Sequence, residues 1–378
     1  MVEKKVVHSK TTEPMLSSYL NRRGVALGLP INGNFELTAR CNFDCKMCYV
    51  HLQDGQSSLA QRELTADQWL SLASDARDAG MMFLLLTGGE PFLRQDFPQI
   101  YQELSKMGIM VSINSNASLY NEELRELFRR YPPARINVTL YGGTEETYLS
   151  LCGNASFHKV VNNLRSMRED GLSVRLNVSL TPYNVGDLER IDAISRELEL
   201  QAKAAAYMYP PVRVTGEIGF NCARFKPEEA GQAIARWSKL RDSEEMFRQR
   251  VERIRAMEQK QTPSPSEPEG VMCRAGRSSF WVTWEGNMLP CGTMDIDPEY
   301  PFRDGFETAW SRVREKVAAI RLPAECTSCK MRSSCGVCAA VCKSETGAFD
   351  RLPAYLCTMT GAICQHTLEL AQQKEMDK

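Results

Sequence analysis

The chain has 378 residues, 43% of them hydrophobic and 25% charged, which suits about two folded domains. With 46 Lys and Arg against 47 Asp and Glu the net charge is −1, so no whole-chain field argues for nucleic acid or an acidic membrane surface. The N-terminus has charge but no apolar h-region, and the longest apolar runs, such as 81–86, are far too short to span a bilayer; the expectation is a cytoplasmic protein with no membrane partner. In that compartment thiols stay reduced, so 14 cysteines point to metal ligation rather than disulfides.

In chain order, residues 1–32 read as an N-terminal extension and 33–225 as an α/β domain in which apolar, β-branched runs alternate with helical stretches. Strands are predicted at 34–38, 81–86, 109–114, 136–141, 174–180 and 204–209, with helices over segments such as 65–79 and 121–130. Fully apolar strands suit a parallel sheet covered by helices, and right-handed crossovers curl it into a partial (β/α)6 TIM-like barrel with ligands at the C-terminal strand ends. Residues 226–270 form a charged helical segment, with Ile234, Trp237, Leu240 and Phe247 as its packing stripe, and then a Pro-rich linker at Thr262–Pro268. A cysteine-rich domain occupies 271–365 and a tail 366–378.

Strand one runs into Cys41, Cys45 and Cys48. A [4Fe–4S] cluster takes four thiolates, so three leave one iron open to an exogenous molecule. A zinc knuckle completed by His51 is the alternative. Strand two ends in Thr87-Gly88-Gly89-Glu90, where paired glycines permit close backbone approach and a carboxylate and carbonyls can receive an ammonium group. Strand three ends in Asn114-Ser115-Asn116-Ala117, Thr139 lies on strand four and Asn177 on strand five. Asn116 also reads as an Asx turn and Thr139 as a simple β-former.

The C-x3-C-x2-C triad followed by Gly-Gly-Glu resembles the signature of the radical S-adenosylmethionine (SAM) superfamily. The resemblance implies that Cys41, Cys45 and Cys48 hold a [4Fe–4S] cluster chelated by SAM. It implies that Thr87, Gly88, Gly89 and Glu90 hold the methionyl amine, that Met47 covers the adenine where relatives carry an aromatic residue, and that Asn116, Thr139 and Asn177 contact the rest of the cofactor. Reductive cleavage of SAM then yields a 5′-deoxyadenosyl radical that removes a hydrogen atom from substrate, the electron coming from a donor such as flavodoxin or ferredoxin. An arginine that helps to bind SAM in some relatives has no match in 146–152.

Downstream, Cys273, Cys291, Cys326, Cys329, Cys335, Cys338, Cys342 and Cys357, with a hairpin signal at Glu285-Gly286-Asn287, resemble the SPASM extension and its two auxiliary [4Fe–4S] clusters. By that analogy Cys326, Cys329, Cys335 and Cys357 hold the distal cluster. Cys273, Cys291 and one or both of Cys338 and Cys342 hold the proximal one, the family spacing falling on Ala339 between that pair. Structural zinc is the alternative, Cys364 reads as a spare thiol, and Cys152 and Cys222 read as ordinary buried thiols. SPASM relatives mostly modify ribosomally made peptides (RiPPs) or proteins, which makes a peptide or protein the expected substrate and oxidative crosslinking the leading outcome. Small-molecule dehydrogenation, sulfatase maturation and a non-catalytic electron carrier are the other readings. Sulfatase-maturing relatives place an aspartate base after the cysteine of Gly-x4-Cys; here that position is Gly292, with Asp295 as the nearest carboxylate. With so short a stretch before strand one, the expectation is that any peptide recognition uses the barrel mouth, the charged helix or a separate protein rather than a leader-recognition domain, since domains rarely go below about 40 residues.

Overall fold

The computed structural model describes residues 15–50, 52, 56–213, 220–259 and 267–376; His51, the first fourteen residues and most of the Pro-rich linker lie outside them. Strands β1 (Asn32–Thr38), β2 (Phe83–Gly88), β3 (Met110–Ser115), β4 (Arg135–Thr139), β5 (Val174–Ser179) and β6 (Gln201–Ala205) lie side by side in chain order, all parallel. Helices fill the crossovers, giving the α/β partial barrel expected.

Register explains why the barrel has two chemically different faces. Phe35 pairs with Leu86, Leu86 with Ile113 and Ile113 with Ile136, a row in which every side chain is fully buried. Each such burial contributes about 1.5–3 kcal/mol. The helix Ala66–Asp78, closed by a Thr65/Gln68 capping box, lays Trp69 on Phe35 at 4.9 Å between ring centroids. The alternate positions are polar: Asn137 Nδ2 donates to Asn114 Oδ1 at 2.9 Å, and Thr139 sits beside Asn177. A period of two puts these groups inside the barrel.

The cysteine-rich region extends the same sheet. Strand β7 (Trp281–Val282) joins the free edge of β1 in parallel, Phe35 beside Val282, and β8 (Met288–Leu289) returns antiparallel to it. The expected hairpin at Glu285-Gly286-Asn287 is its turn. Beneath β1, the helix Leu16–Leu27 docks through Asn21, whose Oδ1 accepts from Asn32 Nδ2 at 2.6 Å and from Ser278 Oγ at 3.0 Å.

Two expectations need correction. Strand six spans Gln201–Ala205 rather than 204–209, because its pairing with β5 ends at Ser179–Ala205 and the following aromatic residues leave the sheet. The segment that begins at 226 is helical as expected: helices Pro227–Arg241 and Glu244–Gln259 pack on the C-terminal helix, burying Ala230, Ala233 and, from the expected stripe, Trp237 and Phe247. That helix, Ala354–Met376, absorbs most of the expected tail, since Leu356, Met359, Ala362 and Thr367 are all buried. Among the described residues no helix is long and apolar enough to cross a membrane.

Candidate active site

The triad loop leaves β1 at Thr38 and is tied down at several points. Arg40 N donates to Thr38 Oγ1 at 2.9 Å while the Arg40 guanidinium grips Glu63 at 2.8 and 2.9 Å. Further along, Asp44 N and Lys46 N donate to the carbonyls of Cys152 and Leu151, so the end of helix Glu145–Cys152 sets the loop's path. Phe43 anchors it among Tyr141 and Tyr148. Cys41, Cys45 and Cys48 thereby face one cavity of about 580 Å³ at the C-terminal end of the strands.

Burial pushes the thiol of Cys41 up and that of Cys48 up to about 12, while the Cys45 thiol is raised by its hydrogen bond with Cys152 and then by burial. Without metal these groups are neutral, and a cluster must displace their protons on binding. Phe43 N already donates to Cys41 Sγ at 3.4 Å, and the Tyr141 hydroxyl bonds Cys45. Three thiols around a roomy cavity, with donors on their sulfurs, fit an iron–sulfur cluster with an open corner.

The Gly-Gly-Glu segment clamps this loop from the next strand. Gly89 N donates to Thr38 O at 2.8 Å and Glu90 N to Arg40 O at 2.9 Å. A Cβ on Gly88 or Gly89 would overlap the carbonyl oxygens of Thr38 and Arg40, and Gly88 has φ of +137°, so only glycine permits this approach. Thr87, Gly88 and Gly89 line the cavity. Glu90 is not among the lining residues. Its side chain is fully buried and accepts from Phe92 N (3.1 Å), Ser115 Oγ (2.9 Å) and Asn116 N (2.7 Å), bracing the end of β3. Burial raises its pKa to about 7 against the opposing pull of those bonds.

Asn116 serves both readings, since its Oδ1 accepts from Ser118 N as in an Asx turn and its Nδ2 donates to Asn42 Oδ1 at 2.9 Å, while the residue still lines the cavity. Met47, Thr139 and Asn177 line it too. Asp295 does not: it is exposed, turned outward because its neighbour Met294 is buried among Val271, Val317 and Ile320. Sequence reasoning missed Tyr141, Tyr207 and Tyr209 on the cavity wall. It also missed Cys152, whose buried thiol shares a hydrogen bond with Cys45, and took Cys222 as buried although it is exposed. The aromatic run at 207–209 was the available signal for the two later tyrosines.

None of the 14 cysteines is in a disulfide. Cys326, Cys329, Cys335 and Cys357 ring a cavity of about 190 Å³ whose wall is otherwise mostly apolar, from Met331, Val337, Leu352, Pro353 and Leu356, with Glu325, Arg332 and Thr360 also on it. Thr360 Oγ1 donates to Cys335 Sγ at 3.6 Å, and burial raises Cys326 to about 11. A small, apolar, four-thiol cavity fits a cubane. Cys273, Cys291 and Cys338 form a second electrostatic neighbourhood, whereas Cys342, fully buried, lies between Cys338 and the distal set. Gly292 stands where a Cβ would be 2.6 Å from the Trp281 ring, so no side chain fits after Cys291. Among the described residues no three His, Cys, Asp or Glu side chains are gathered to hold a single metal ion.

Residues 35–194 match the family model described as the Radical SAM superfamily. Over 341 residues the chain is 23% identical to the "AdoMet-dependent heme synthase" of Methanosarcina barkeri, covering 83% of this chain and 93% of that one. It is 30% identical over 167 residues to the "Probable GTP 3′,8-cyclase" of Saccharolobus solfataricus, spanning 43% of this chain and about half (52%) of that relative. Among solved structures, Streptococcus suis SuiB bound to S-adenosylmethionine superposes with a TM-score of 0.64 at 15% identity, covering 92% of this chain and 84% of SuiB. The anSMEcpe structure with bound AdoMet gives the same TM-score and identity over 91% of this chain and all (100%) of that one. The barrel motifs and the match over residues 35–194 mark a Radical SAM domain in this chain, and its two-part fold is shared with SuiB and anSMEcpe.

Proposed function

We propose that this enzyme oxidatively modifies a side chain of a ribosomally made peptide or of a protein, with SAM and a cluster at Cys41, Cys45 and Cys48 as the radical source and auxiliary clusters in the two C-terminal cysteine sets. When bound, the SAM and cluster pair supplies a 5′-deoxyadenosyl radical for hydrogen-atom abstraction. The chain's own part is to hold and shield. The Gly88–Gly89 backbone and Arg40–Glu63 fix the triad loop, Thr87, Asn116, Thr139 and Asn177 offer polar contacts to the cofactor, and Met47 with Tyr141 supplies apolar wall.

The observation that carries the substrate reading is the size of the cavity. About 580 Å³ lies in the middle of the range for one drug-sized ligand. That is room for SAM at the C-terminal strand ends, with the substrate offering its reacting group beside it, as a peptide side chain can. The same fold occurs in SuiB bound to precursor peptide SuiA and in anSMEcpe with the Cp18Cys peptide. Gly292 leaves no room for the aspartate that sulfatase maturation uses, which counts against that outcome. A reducing, cytoplasmic location and a flavodoxin- or ferredoxin-type donor follow from thiol-held clusters.

A second reading, oxidation of a small molecule such as a heme precursor, is favoured by the similarity to the heme synthase along nearly its full length. The test is co-expression with short open reading frames encoded beside the gene, followed by mass spectrometry. Loss of two hydrogens from a peptide supports crosslinking, and one deuterium gained from heavy water supports epimerisation. Unmodified peptides alongside steady 5′-deoxyadenosine production with a small substrate would transfer the assignment to the second reading, and no 5′-deoxyadenosine at all would sink both.

A further inference from the structure

Tyr209 is the residue that touches both halves of the site. Its ring belongs to the wall of the cavity that contains Cys41, Cys45 and Cys48, while its hydroxyl lies 3.8 Å from Cys338 Sγ. Thr293 sits between the proximal cysteines, hydrogen-bonded to the Tyr209 hydroxyl and with its Oγ1 3.4 Å from Cys291 Sγ. The ring is held in place by an edge-to-face contact with Tyr207 at 5.0 Å and 88°. Tyr207 is fixed in turn, its hydroxyl bonded to Glu345 and its face covered by Arg224, which also pairs with Glu345.

We propose that Tyr209 is a positioning residue that couples the substrate cavity to the proximal auxiliary cluster, its hydroxyl donating a hydrogen bond to the Cys338 thiolate and raising that cluster's reduction potential. The inference rests on the reading that Cys273, Cys291 and Cys338 hold a cluster. Once Cys338 ligates iron it has no proton to give, so of the two groups only the phenol can donate. Hydrogen bonds to cluster sulfurs stabilise the more negative, reduced state and move the potential up. Because Tyr209 also faces the cavity, a substrate packed against its ring alters the same hydrogen bond. The triad has the parallel arrangement, with the Tyr141 hydroxyl on Cys45 at the same cavity. The assignment also separates two cysteines that spacing left equivalent: Cys338 faces the cavity through Tyr209, whereas Cys342 is sealed behind it.

The experiment is an anaerobic redox titration of the full-length, iron-reconstituted Tyr209→Phe protein followed by electron paramagnetic resonance, with iron and sulfide analysis. With three cubanes present, iron stays near twelve. One cluster that does not respond to SAM becomes harder to reduce by about tenfold, 59 mV for one electron, and the other two are unchanged. Thr293→Val shifts the same cluster in the same direction, and it carries the test should Tyr209→Phe lose iron. Full iron content with all three potentials unmoved would overturn the proposal and leave Tyr209 a packing residue. A wild-type protein with only two clusters would instead overturn the underlying ligand assignment, so the two failures are distinguishable.

Discussion

Replacing Glu90 by alanine separates a direct SAM ligand from a structural brace. In the structure the carboxylate is fully buried and takes two backbone N–H donors, from Phe92 and Asn116, and the Ser115 hydroxyl. The two N–H groups cannot turn away, and each stranded buried donor costs about 1–3 kcal/mol, so the variant loses about 2–6 kcal/mol. The wild type has an opposing strain. Its folded pKa is raised from 4.5 to about 7, chiefly by burial, so the folded state binds the proton more tightly than the unfolded one. The stability this contributes is full below pH 4.5 and is lost as pH rises through 7, a fall of roughly 3 kcal/mol. Wild-type stability therefore declines over that window and the variant's does not, which makes the difference between them largest near pH 5 and smallest at pH 8. Urea unfolding of the iron-free, reduced chains at both pH values measures it, and SAM affinity of the reconstituted proteins provides the second axis. Equal unfolding midpoints at both pH values, with a hundredfold loss of SAM affinity, would refute the brace and restore Glu90 to the cofactor.

Three further outcomes are expected. Cys335→Ala removes one wall of the four-thiol cavity, so iron falls from about twelve to about eight per chain while SAM still perturbs the triad cluster; retention of all iron would argue against the distal assignment. Gly292→Ala drives a methyl to 2.6 Å from Trp281, whose Nε1 donates to Glu36 at 2.7 Å, and overpacking of this kind costs about 1–3 kcal/mol; an unchanged urea midpoint would mean that the hairpin gives way freely. Thr65→Ala breaks the capping box of helix Ala66–Asp78 for about 1 kcal/mol, and 5′-deoxyadenosine formation should be unaffected because Thr65 does not line the cavity and the Arg40–Glu63 pair is left intact.

Much of the barrel was legible because its signals are local. A period of two marks the strands, and Thr65 and Asn121 cap helices where the pattern places their starts. The triad and the glycine pair were legible because close approach admits few residue types. Glu90 was read within its motif, but its partners were not, since sequence does not say which way a carboxylate turns once three donors converge on it. Strand six slipped because the aromatic residues that follow Ala205 read as β-formers, yet they serve the cavity rather than the sheet. The terminal helix was hidden by a weak amphipathic pattern; its partner, helix Pro227–Arg241, is distant in sequence, and only their contact explains the small residues between them. The Cys45–Cys152 and Tyr209–Cys338 contacts are likewise products of topology.

That topology also bears on how the redox centres are held. A cysteine domain joined only by a Pro-rich linker would swing, and the separation between its clusters and the radical site would vary. Here β7 is hydrogen-bonded to β1, the strand that delivers the triad, and β8 carries the chain from β7 toward Cys291. The Trp281 indole and Arg213 both close on Glu36 from β1, tying the hairpin into the barrel lumen. Cys41 follows β1 and Cys291 follows β8, two strands of one sheet with β7 between them, so their separation is set by strand spacing and register rather than by the linker. Lengthening the segment after Gln259 should leave the redox potentials and product ratio unchanged, whereas breaking the Phe35–Val282 pairing should alter both.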